Sequence, residues 1–163
     1  MFREMRRKKQ VLSKSESIKV LDKGTSGVLA LIGDDDYPYA VPISYVYKDN
    51  KIYFHCAYSG HKIDALKAHP KVSFCIIDKD QIIPEEFTTY YRSVIIFGQA
   101  RILEDEKEKK KALKTLAAKY SPSHEKGRLE EINKLFQQTC MVEIVVEHLS
   151  GKEAIELTRE RKV

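Results

Sequence analysis

Between residues 52 and 70 the chain reads IYFHCAYSGHKIDALKAHP, a strand that breaks into a loop and then a short helix. The break holds His55, Cys56, Ser59, Gly60, His61 and Lys62. A plain strand-to-helix connection needs a cap and one glycine, so this stretch carries more hydrogen-bonding capacity than packing requires. The helix is expected to open just after Gly60, with Pro70 bounding it downstream. His61 and Lys62 then lie at a helix N-terminus. Free backbone N–H groups and the positive pole of the helix dipole meet an imidazole and an ammonium there, which suits a phosphate. Cations in a first helical turn are mildly unfavourable unless an anion faces them. The plainer reading makes Ser59 a cap and Lys62 a solvated lysine, and on these residues alone both readings stand.

Other chemistries fit less well. His55, Cys56 and His61 match none of the common zinc spacings, and strand alternation sends Cys56 to the opposite face from His55. No metal site is expected. A cysteine nucleophile with a histidine base is conceivable at Cys56, but any cysteine near a histidine gives the same weak signal. No GxGxxG, P-loop, GxSxG or HExxH pattern occurs.

The elements that must position this loop are mostly strands. SGVLALIG (26–33) is a compact apolar run between glycines, and DDD (34–36) makes a turn. YPYAVPISYVYK (37–48) is rich in tyrosine and valine. Its two prolines make it an edge strand, or one bulged where something approaches its backbone. KDNK (48–51) signals a hairpin into KIYFHC. KVSFCIID (71–78) and TYYRSVIIFGQARIL (89–103) read as further strands, with Gly98 a bulge or bend. A short capped helix over 15–23, stopped by Gly24, precedes them. Two later helices follow the strands. Leu113, Leu116, Ala117 and Tyr120 form an apolar stripe on the first, and Leu129, Ile132 and Phe136 lie on the second after a serine-proline start. CMVEIVVEHL (140–149) returns as a strand before a polar tail. Short hairpins with helices inserted late predict a mainly β fold, an antiparallel barrel or sandwich flanked by helices. One domain is expected over 1–163, with a helical insertion at about 105–138.

Composition excludes several classes. The 163 residues, 42% hydrophobic and 33% charged, suit one globular core. The net charge of +5 comes largely from two blocks, Arg3 to Lys9 and Lys107 to Lys114, and such blocks are most often solvated tails or faces. The first ten residues lack an apolar segment, and no run approaches the ~20 residues of a membrane span. Cys56, Cys75 and Cys140 fit reduced thiols better than a disulfide framework, so a cytoplasmic location is expected.

RRK near the start, YPYAVPISYVY, IYFHCAYSGHKIDALKAHPKVSF, YRSVIIFGQARIL and a late SGKEAIEL occur in that order. In this the chain resembles the pyridoxamine 5′-phosphate oxidase-related flavoproteins, over roughly residues 5–157, and most the nitroimidazole-resistance (Nim-type) branch. The resemblance implies an FMN-binding split β-barrel working as a homodimer, with flavin in a cleft between subunits. It places Val41, Pro42, Ile43, Ser44 and Tyr45 along the flavin ring. His55 and Cys56 fall where the next strand meets the flavin, His61 and Lys62 at its phosphate, and Arg92 and Ser93 on a later strand approaching it. The oxidase proper carries arginines where Val41 and His61 stand here, and a C-terminal tryptophan, whereas this chain has no tryptophan. A true pyridoxamine-phosphate oxidase is therefore not expected.

The expected function is FMN-dependent transfer of electrons to small electron-poor acceptors such as nitroimidazoles or other nitroaromatics, with NADH or NADPH as donor. The redox chemistry belongs to the cofactor, and His55 is the candidate catalytic donor beside it. Two alternatives stay open: a non-catalytic FMN- or haem-binding module in the same barrel, and a basic nucleic-acid or partner-binding protein acting through its lysine-rich helix.

Overall fold

The computed structural model describes residues 2–161. Its strands are β1 (Val11–Leu12), β2 (Ser26–Ile32), β3 (Pro38–Ser44), β4 (Val46–Lys48), β5 (Lys51–Cys56), β6 (Lys71–Ile83), β7 (Thr88–Ile102) and β8 (Cys140–Glu153). Its helices are α1 (Lys14–Lys23), α2 (His61–Ala68), α3 (Glu106–Tyr120), α4 (Glu125–Leu135) and α5 (Ile155–Glu160). The eight strands form one sheet in the order β3-β2-β6-β7-β8-β5-β4, with β1 added to β8. Every pairing is antiparallel. β3 and β4 lie at opposite ends of this path, yet Tyr45 alone separates them in the chain. The sheet must therefore curl until its two ends meet at Tyr45. The result is a barrel whose seam is not hydrogen-bonded, a split barrel with flanking helices.

Alternation fills the barrel. Leu29, Ile52, Phe54, Phe74, Ile96 and Ile144 are fully buried, each contributing about 1.5–3 kcal/mol of apolar transfer. A second core lies outside the barrel wall, where Leu113 and Leu116 of α3 and Ile132 of α4 pack on Val46, Leu103 and Met141. Met141 and His55 are register partners on β8 and β5, so the helices cover the outer face that also carries His55.

Several expected features recur. β3 is an edge strand, bonded to β2 alone, and Asp49 and Asn50 form the tight turn with φ of 52° and 61°. The β7–β8 register shifts between Phe97 and Gly98, and an added Cβ at Gly98 would collide with the Val145 carbonyl. Other expectations change. The single strand over 37–48 splits at Tyr45, because its two halves pair with different partners. β6 runs on to Ile83 and turns through Pro84–Glu86 into β7, a hairpin longer than its apolar run suggests. α4 opens at Glu125, since Pro122 is spent in a turn. The polar tail extends β8 to Glu153 and adds α5, whose Leu157 and Thr158 are buried. No helix among the described residues is long and apolar enough to cross a membrane.

Candidate functional site

The start of α2 is open. Gly60, with φ of 112°, occupies the N-cap, so the plainer reading of Ser59 as the cap does not hold, and among the described residues no side chain caps the helix. The first bonds to the Gly60 carbonyl come from the amides of Ile63 and Asp64, at 2.9 and 3.2 Å. The amides of His61 and Lys62 are thus orphan donors of the first turn. A Cβ added at Gly60 would meet nothing within 4 Å, so the space before these donors is free. Lys62 is half-buried, its ammonium 5.9 Å from the centre of the Phe54 ring. His61 leans the other way. Its ring stacks on Tyr39 of β3 at 4.2 Å and 13°, and Nε2 accepts from the Asp34 amide at 3.4 Å. His61 therefore ties α2 to the edge strand.

From Tyr39 the edge strand runs five residues to Ser44, roughly 17 Å of extended chain. Pro42 and Ser44 are exposed, while Val41 and Ile43 turn toward the core. Tyr45 ends the strand fully buried, edge-on to Phe74 at 5.1 Å, and donates to the Leu21 carbonyl at 2.8 Å. Burial, then the neighbouring Tyr120, pushes its phenol well above the ordinary range. The Tyr120 hydroxyl accepts from the Tyr45 amide at 2.8 Å and donates to its carbonyl at 2.9 Å. Tyr45 is the hinge of the seam, and its ring lies in the core.

Beyond Ser44 the outer wall opens into a cavity of about 300 Å³ between β5, α3 and α4. Ser44 and His55 line it together with Leu113, Leu116, Ile132 and Leu135. Cys56 points inward instead, opposite Cys140 in the register. Burial pushes its thiol up to about 12, the Cys140 thiol adds to this, and Lys62 only partly offsets it. At neutral pH such a thiol is protonated, which removes Cys56 as a nucleophile.

Arg92 is placed differently from the rest. Its guanidinium bonds Glu153 at 3.0 Å and Asp78 at 3.2 Å, and it lines a separate cavity of about 210 Å³ with Leu12, Glu16 and Arg161. The fold thus brings His61, Lys62, β3, Ser44 and His55 along one seam, and commits Arg92 to a charge network. Ser93 stands beside it, half-buried between Ile77 and Lys152 in the sheet.

The family model for pyridoxamine 5′-phosphate oxidase matches residues 13–153. The chain belongs to this family. Among solved structures, a conserved hypothetical protein of Mycobacterium tuberculosis superimposes with a TM-score of 0.81, at 21% identity over 98% of this chain and 94% of that one. A candidate 5-nitroimidazole antibiotic resistance protein of Bacteroides thetaiotaomicron gives 0.73, at 18% identity over 88% and 86%. A FAD-binding protein of Mesorhizobium loti gives 0.60, at 27% identity over 89% and 97%. An uncharacterized protein of Rhizobium meliloti is 33% identical over 90 residues, which span 55% of this chain and 54% of that relative.

Within this family member, the residues sequence reasoning missed are the ones that lock the helical cover. Lys109, 4% exposed, donates to Tyr58 Oη at 2.9 Å and to the Phe136 carbonyl at 2.5 Å, with the Phe136 ring 4.2 Å away. It fastens α3 to the loop before α2. Tyr120 was visible as the last residue of the α3 stripe, but nothing in its spacing reveals that its hydroxyl clasps Tyr45.

Proposed function

We propose that the protein is an FMN-dependent oxidoreductase passing electrons to small electron-poor acceptors such as nitroimidazoles and other nitroaromatics. One observation carries this reading. An uncapped, cationic helix start stands at one end of an edge strand, and the other end of that strand opens at His55 on an apolar cavity.

The residues fit a flavin phosphate: two orphan amides, the Lys62 ammonium with no ion pair among the described residues, and free space over Gly60. The free edge of β3, from Val41 to Ser44, offers backbone groups to a flat heterocycle. Flavin, when bound, supplies the electron-transfer chemistry. Lys62 and the α2 amides hold its anionic end. His61, stacked on Tyr39, keeps α2 against β3. His55 presents ring N–H to the acceptor, where a positioned donor stabilises negative charge developing on a nitro group.

The single cradle favours FMN over FAD, although the Mesorhizobium loti neighbour is a FAD-binding protein. A second copy of the chain supplies the other wall. The outer sheet face exposes Val28, Ile77, Ile95 and Phe97 at 36%, 64%, 40% and 40%, with Val28, Cys75 and Ile95 in one row across β2, β6 and β7. The proposed setting is the cytoplasm, with NADH or NADPH as donor. The test is to denature purified protein, identify the released flavin by mass, and measure NADH- or NADPH-driven reduction of a 5-nitroimidazole. FMN with turnover supports the reading. FAD or no flavin overturns the cofactor, and FMN without turnover of any acceptor makes the protein a binding module.

A further inference from the structure

The cavity behind His55 has a chemical character of its own. At about 300 Å³ it is at the lower end of ligand pockets and far larger than an ordinary packing defect. Its walls are Leu113, Leu116 and Ala117 from α3, and Ile132 and Leu135 from α4. Of its polar groups, Tyr120 is bonded to Tyr45 and Thr139 donates to the Leu135 carbonyl at 3.0 Å. Ser44, His55 and the exposed Glu131 are left without a side-chain hydrogen bond or ion pair among the described residues.

Charge is the second observation. The chain carries 29 Lys+Arg against 24 Asp+Glu, and α3 alone holds Lys107, Lys109, Lys110, Lys111, Lys114 and Lys119. None of them lines this cavity; among the described residues the one charged group that does is Glu131, exposed on α4. In a protein of net positive charge this cavity is thus lined by one carboxylate and, among the described residues, by no lysine or arginine to receive a phosphate or carboxylate.

We propose that this cavity binds a single-ring organic molecule, neutral or cationic, packed on Leu113, Leu116 and Ile132 and anchored on Ser44 and His55, with Glu131 rejecting anions. The assignment of that molecule as the electron acceptor rests on the proposed function; the binding site itself does not. Phosphorylated rings should bind poorly here, because the uncapped helix start suited to a phosphate lies at α2, the other end of β3.

Three probes share one ring and differ in charge: 4-nitrobenzyl alcohol, 4-nitrobenzylammonium and 4-nitrobenzoate. Their affinities are measured calorimetrically on the purified protein, as isolated and after flavin removal. The alcohol and the ammonium should bind. The benzoate should be about fivefold weaker or worse, the factor a like charge roughly 4 Å away imposes in water. Glu131→Gln, at an exposed position, should abolish that difference. Ala117→Phe should fill the space and weaken all three probes about tenfold or more, with the melting temperature kept as the control on folding. If that variant does not fold, Leu135→Trp serves as the filling change from α4. Benzoate binding as tightly as the alcohol, or a folded filling variant that binds all three unchanged, overturns the proposal. Absence of flavin from the preparation would defeat the proposed function, yet probe binding to that same protein would still decide the cavity.

Discussion

Lys62 and Arg92 are both half-buried cations that the family resemblance would place at one flavin, and the fold treats them in opposite ways. Arg92 is answered twice, by Asp78 and Glu153. Those carboxylates are shared in turn, Asp78 with Lys23 at 3.3 Å and Glu153 with Arg161 at 3.4 Å. Arg161 also reaches Glu16, so the network joins α1, β6, β7, β8 and the chain beyond α5. Lys62 has no carboxylate partner among the described residues; its ammonium stands 5.9 Å from the centre of the Phe54 ring, in the first turn of an uncapped helix. A cation whose charge is matched inside the chain is a fastening. One left unmatched at an open helix end is available to an anion from outside.

The largest expected effect tests the fastening. Glu153 is fully buried and bonded to Arg92, Arg161 and Thr158. Glu153→Ala should destabilise the protein by about 3 kcal/mol, the lower part of the range for a broken buried pair, because Arg92 keeps partial access to water. Denaturant unfolding measures it, and a loss well under 1 kcal/mol would show the network to be solvent-screened like a surface pair. His55→Gln should leave folding and flavin content intact while nitroreduction falls by about 10²-fold. Full turnover in that variant would return His55 to a structural role.

Lys62→Ala sharpens the contrast from the other side. Flavin affinity should weaken by about 1.5–3 kcal/mol, the worth of a hydrogen bond to a charged group, with the unfolding midpoint of flavin-free protein unchanged. A titration at low salt showing equal affinity would remove Lys62 from the site. The smallest effect concerns the α1 cap. Ser13 and Glu16 form a reciprocal capping box. The Ser13 hydroxyl holds the Glu16 carboxyl down to about 2; burial opposes this, and the Ser13 amide and Arg161 assist it. A depressed folded pKa contributes stability that is whole above the ordinary glutamate value of 4.5 and is lost as pH falls toward about 2. Ser13→Ala should therefore cost about 1 kcal/mol near neutrality. Its difference from the parent should shrink across that acid window in paired melts.

The strands were legible as apolar or tyrosine- and valine-rich runs bounded by turn residues, as in SGVLALIG and YPYAVPISYVYK, and because Asp49-Asn50 and Gly98 are residues that few other conformations require. α3 was legible for the same kind of reason, a stripe at helical spacing. The seam was not. A break at Tyr45 follows from β3 and β4 having different partners, which no local pattern records. α5 is too short to show a period and exists because Leu157 and Thr158 find burial against the rest of the chain.

For the site, the sequence by itself determined which donors stand at the start of α2, since a helix opening at Gly60 leaves its first amides free whatever surrounds it. It also determined that His55 and Cys56 face opposite ways, because successive side chains on a strand do. Which cations stay unmatched only the tertiary structure decided. Arg92 meets Asp78 and Glu153, 14 and 61 residues away, through the pairing of β7 with β6 and β8. The cavity at His55 likewise exists only where α3 and α4 close over the barrel wall. Charge matching and cavity shape depend on contacts between distant segments, and such contacts are set by how the sheet curls.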